Sequence, residues 1–73
     1  MKYEVKYESS FECDDRVFEF DSEEEAEGFI DEDLDFHISE HKGFGCGIAD
    51  FGNKTEFWVS DTDKYASWER LWK

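Results

Sequence analysis

Aromatic side chains set the narrowest limit on what this chain can fold into. Eight Phe, three Tyr and three Trp fall within 73 residues, a length that supports one domain. A single core of that size contributes only about 3–5 kcal/mol net unless something staples it. Each packed ring removes roughly 150–250 Å² from water, so a chain that is only 38% hydrophobic can still close a core. The rings also argue against disorder, because disordered acidic segments are poor in aromatics. The expectation is one folded, acidic domain spanning 1–73.

Periodicity divides the chain into short elements. Tyr3, Val5 and Tyr7 alternate with Glu4 and Lys6, the period of two of a half-buried strand. Val17–Phe20 reads as a second strand, with Asp14-Asp15-Arg16 as turn chemistry between the two. Asp21-Ser22-Glu23-Glu24-Glu25 opens a helix, and Ser22 with Glu25 and Asp21 with Glu24 fit a capping box equally well. Ala26, Phe29 and Ile30 give that helix an apolar stripe. Asp33 would fall inside the stripe, so the helix is expected to stop near Glu32, followed by a short strand over Leu34–Ile38.

In the second half, Gly52-Asn53 between two apolar runs is a two-residue hairpin signal. It would place Ile48 opposite Phe57 and Cys46 opposite Val59 on the core face, with Trp58 across from Gly47 on the other. Ser60-Asp61-Thr62-Asp63 is expected to open a final helix with Tyr65, Trp68, Leu71 and Trp72 on its apolar side. The two strand–helix junctions that result, at Phe18–Ser22 and Phe57–Asp61, would fit an internal duplication. The pattern predicts an α+β fold, ββα-βββα, with an antiparallel sheet of four to five strands and two helices on one face.

Charge carries the functional information. The chain has 21 acidic and 8 basic residues and a net charge of −13. Phosphates and anionic lipid surfaces would be repelled, which excludes direct nucleic-acid and membrane binding and leaves a basic protein surface as partner. Eleven of the acids lie between Val17 and His41, a stretch with no Lys or Arg. Over the helix expected at Ser22–Glu32, six acids would give about one charge per 2.7 Å at a rise of ~1.5 Å per residue. A DNA strand carries one per ~3.4 Å of axis. Like-charge pairs such as Glu23 with Glu27 and Glu27 with Asp31 would cost that helix roughly 0.2–0.5 kcal/mol each. Asp31 and Glu32 would stand at its unfavourable C-terminal end.

Other motifs point to no chemistry. His37-Ile38-Ser39-Glu40-His41 matches H-x-x-E-H, but a strand there would separate the rings and leave His37 a surface imidazole between Asp35 and Glu40. Asp31, Asp33 and Asp35 have the first spacings of a calcium loop, which then fails at Phe36 and Lys42. Gly43-Phe44-Gly45-Cys46-Gly47 lacks the Lys and following helix of a phosphate loop, and its glycines are better placed to allow close backbone approach or to let Trp58 lie over the strand. Cys13 and Cys46 have neither disulfide-framework nor metal-ligand spacing. No cofactor and no catalytic residue are expected. With no signal-peptide pattern and no apolar run of spanning length, the expected location is cytoplasmic.

In size and charge the whole chain resembles the small acidic phage-type inhibitors of host defence, the anti-CRISPR and anti-restriction DNA mimics. Phe29-Ile30-Asp31 and the stretch from His37 to Gly43-Phe44 are similar to antirestriction proteins that mimic bent DNA, with Lys42 where that family has an acid. The resemblance implies a non-enzymatic inhibitor that offers a nucleic-acid-like anionic surface to a basic groove of a CRISPR–Cas or restriction effector. The residues expected to meet the partner are Glu23, Glu24, Glu27, Asp31, Glu32, Asp33, Asp35 and Trp58, with Phe36, Trp68 and Trp72 as further candidate anchors. An acidic immunity protein or antitoxin neutralising a basic toxin, or a structural phage protein with incidental acidity, fits the same composition.

Overall fold

The first two alternating segments pair as their pattern requires. Strand β1 (Tyr3–Ser9) runs antiparallel to β2 (Arg16–Phe20), with Tyr3 opposite Phe20 and Val5 opposite Phe18. The structure, a computed structural model, describes residues 2–10, 15–43, 45–60 and 62–73. Cys13 and Asp14 lie outside these, and Arg16, expected in the turn with Asp14, opens β2. The chain then enters a single helix, α1 (Glu23–Glu40), and a second antiparallel hairpin, β3 (Cys46–Asp50) with β4 (Lys54–Val59). The last strand, β5 (Tyr65–Arg70), inserts between the hairpins, giving one antiparallel sheet in the order β2-β1-β5-β4-β3.

This corrects the expected architecture: the described residues form five strands and one helix, where a second helix had been expected. Ala66, Trp68 and Arg70 point to the helix-covered face of the sheet, while Tyr65, Ser67 and Glu69 point away. The spacing of Tyr65, Trp68, Leu71 and Trp72 suits a helix equally well over so short a window. A strand prevails because β1 and β4 each present an open edge, and β5 pairs with both at once. The two halves are therefore not a duplication, since the second junction leads into a strand.

The helix also runs eight residues beyond its expected end, and Leu34–Ile38 is helical. It carries the chain from β2 at one edge of the sheet to β3 at the other, a distance of four strand spacings or roughly 19 Å. Eighteen residues span about 27 Å and make the crossing, whereas a helix ending at Glu32 would reach only about 16 Å. Of the two candidate caps the structure selects Ser22, its Oγ accepting from the Glu25 amide at 3.1 Å. At the other end the His41 amide donates to the His37 carbonyl, and the His41 Nδ1 lies 2.9 Å from that oxygen.

The core lies between α1 and one face of the sheet. Val5, Tyr7, Phe57, Val59, Ala66 and Trp68 meet Ala26 and Ile30 of the helix, and Phe18 and Phe20 pack against Phe29. The helix does not cover β3, so Ile48 is half exposed although it points to the same face.

The opposite face is bare of helix and carries alternating charge, with the pairs Lys6–Glu8 at 3.2 Å and Lys54–Glu56 at 3.4 Å. There Trp58 lies flat over Gly47, its expected cross-strand neighbour, where any Cβ would overlap the indole. Gly47→Ala should thus cost about 1–2 kcal/mol, measured by urea unfolding. In a Trp58→Ala background the same change should be neutral, because the ring it strikes is gone.

Candidate functional site

One side of α1 is occupied by its own fold. At 100° per residue, Ala26, Ile30, Asp33 and His37 form one stripe, flanked by Glu27 and Leu34. The polar members of this side all find partners on the sheet. Glu27 takes two hydrogen bonds from Arg70, Nε to Oε2 at 2.6 Å and Nη2 to Oε1 at 2.9 Å. The Trp68 indole Nε1 donates to the Asp33 carboxylate at 2.9 Å. His37 is buried, its Nε2 lying 3.1 Å from the Tyr7 hydroxyl and its ring packed on Phe57 and Trp68. Asp33 and His37 are therefore inner residues, and the expected surface role of His37 does not hold. The rings of His37 and His41 are one helical turn apart on the same element, with the first directed at Tyr7 and the second at the helix end.

The other side of α1 carries the free charge. Glu24, Asp31 and Asp35 form one row along the exposed surface, and Glu25 and Glu32 a second beside it. All five are exposed, and among the described residues none has an ion-pair partner. The nearby cations are engaged elsewhere: Arg70 with Glu27, Lys2 with Asp21 at 3.1 Å, and Lys73 near Glu23 at 3.9 Å. From Glu24 to Asp35 the helix rises about 17 Å, so the five carboxylates present roughly one charge per 3–4 Å. This matches one DNA strand at about 3.4 Å of axis per phosphate.

The structure thus divides the residues expected to meet a partner. Glu24, Asp31, Glu32 and Asp35 lie together on the outward side of α1, and Glu23 lies at its start, within reach of Lys73. Glu27 and Asp33 are turned inward and bound. Trp58 sits on the far face of the sheet and shares no surface with the helix. Of the other candidate anchors, Trp68 is fully buried and Trp72 is half-buried edge-on to Tyr3, while Phe36 is 58% exposed on α1. Glu25, absent from the expected set, completes the second row; its i+7 relation to Glu32 was the available signal.

The expected strain in the helix is smaller than its sequence implies. Asp31 and Glu32 stand mid-helix, away from the unfavourable end, and Glu27 is compensated by Arg70. Glu23, Glu24 and Glu25 occupy the first turn, where the helix dipole favours anions. Among the described residues no helix is long and apolar enough to cross a membrane.

A rigid helix backed by a sheet, with carboxylates on its free side, offers hydrogen-bond acceptors and negative charge to a cationic surface. Comparison with protein-family models, with curated proteins and with solved structures gives no match in any of the three.

Proposed function

We propose that this protein acts without catalysis, by laying the outward face of α1 into a basic groove of a nucleic-acid-handling effector of CRISPR–Cas or restriction type. There it competes with the nucleic acid for the groove. The observation that carries this reading is the double row Glu24, Asp31, Asp35 and Glu25, Glu32, exposed and, among the described residues, without ion-pair partners. Complementary charge speeds encounter and sets orientation. Docking of the inner face against Arg70, Trp68 and Tyr7 holds the rows in place before the partner arrives, which lowers the ordering cost of binding.

The test is a pull-down from host lysate at low salt, with elution by duplex DNA. Partner capture should fall steeply as NaCl is raised to about 0.5 M, where screening shortens to a few ångströms. Replacing Glu24, Asp31 and Asp35 together by Lys should weaken capture on the order of a hundredfold while leaving the circular dichroism spectrum unchanged. Capture that survives both treatments, or that DNA does not compete away, would overturn the reading.

A further inference from the structure

We infer that the depression between α1 and β2 is a socket for an arginine side chain of the partner protein. The inference deepens the proposed function and rests on it. The depression is open to solvent, about 450 Å³ in volume, and lined by Phe20, Glu25, Gly28, Phe29 and Glu32. Its floor is aromatic: the Phe20 and Phe29 rings lie 5.3 Å apart, and Phe18 supports Phe29 from the other side at 4.8 Å. Its walls are two exposed carboxylates, Glu25 and Glu32, three residues before and four after Gly28. The glycine between them keeps the floor uncovered.

Nothing in the packing asks for glycine at that position. A Cβ on Gly28 would meet no atom within 4 Å, and its φ is not among the positive values found at Gly43 and Gly52. Glycine is the poorest helix former after proline. The chain therefore carries a helix-weakening residue where alanine would fit, and the consequence is an aromatic surface left open between two acids. A guanidinium suits this site: it is planar, stacks on aromatic faces and donates in several directions within its plane. A lysine ammonium is a compact, strongly hydrated charge and gains less from the floor. An apolar side chain would strip water from the two carboxylates without compensating them.

The test uses the whole protein and two peptides of equal length, oligoarginine and oligolysine, titrated by NMR at low salt. Both should bind the outward face of α1. Oligoarginine should bind about tenfold tighter and shift the Gly28 amide and the Phe20 and Phe29 ring protons. Gly28→Leu keeps both carboxylates but fills the depression. It should bring oligoarginine down to the oligolysine level and leave oligolysine binding unchanged. Gly28→Ala checks that the helix tolerates a side chain here, and its melting temperature should rise. Equal affinity of the two peptides for the parent protein, or an arginine preference that survives Gly28→Leu, would overturn the socket while leaving the acidic-face reading intact. Binding of neither peptide would overturn both.

Discussion

Trp68→Ala is expected to leave the chain without a cooperative unfolding transition at 25 °C, as followed by circular dichroism in urea. The ring is fully buried in the middle strand of the sheet, 5.8 Å from Tyr7 and 5.6 Å from His37 between ring centroids. Truncating a buried Trp costs about 3–5 kcal/mol. Losing the indole N–H leaves the Asp33 carboxylate without its donor, a further cost of about 1–3 kcal/mol. Together these come to about 4–8 kcal/mol, as much as or more than the roughly 3–5 kcal/mol available to a domain of this length. Trp68→Phe separates the two contributions, because it keeps most of the ring and removes only the donor. It should unfold cooperatively at a lower urea midpoint. A Trp68→Ala protein within about 1 kcal/mol of the parent would show that the helix is not docked through this residue.

Breaking the Glu27–Arg70 pair should be nearly as damaging, and removing both partners should not be. Arg70 is 6% exposed, and among the described residues its Nη1 already lacks a hydrogen-bond partner. Glu27→Ala would leave a buried guanidinium uncompensated, at about 3–5 kcal/mol. Replacing the pair together, Glu27→Leu with Arg70→Met, should restore stability to within about 1 kcal/mol of the parent or exceed it. Chemical denaturation of the two proteins distinguishes these outcomes. The hydrogen bond that Arg70 donates to Glu27 raises the Arg70 pKa above its ordinary value, against the opposing effect of burial. A raised folded-state value means that this contribution is complete below the unfolded arginine pKa and is lost only as pH climbs through the folded one. An alkaline titration to about pH 10 should therefore leave the pair intact.

What the sequence could disclose depended on whether the deciding partner was near in the chain. The β3–β4 hairpin was legible down to its register, because Gly52-Asn53 fixes the pairing and Gly47 marks where Trp58 must lie. The helix start was legible to within one residue, because Ser22 with Glu25 and Asp21 with Glu24 have the same capping spacing and only the structure selects Ser22. The end of the helix was not. Asp33 and His37 break an apolar stripe when polarity alone is counted, and their partners, Trp68 and Tyr7, lie 35 and 30 residues away. The same holds for β5, whose inward pattern of Ala66, Trp68 and Arg70 reads as a strand only if Arg70 is known to meet Glu27. The acidic surface was legible as a local concentration of charge in one element. The inward turn of Glu27 and Asp33, and the placement of Trp58 behind the sheet, follow from tertiary contacts that no local window contains.

The position of β5 has a consequence for how the molecule comes together. The two hairpins are neighbours in the chain but never touch as strands, and the seam between them is closed by residues that arrive after both. Val5 meets Arg70 and Lys6 meets Glu69, contacts among the most distant this chain can make. Assembly of such long-range pairs is slow, because loop closure must precede any reward. Because β5 alone joins the two hairpins, the sheet that backs α1 and fixes the display of its carboxylates is complete only when these long-range pairs are formed.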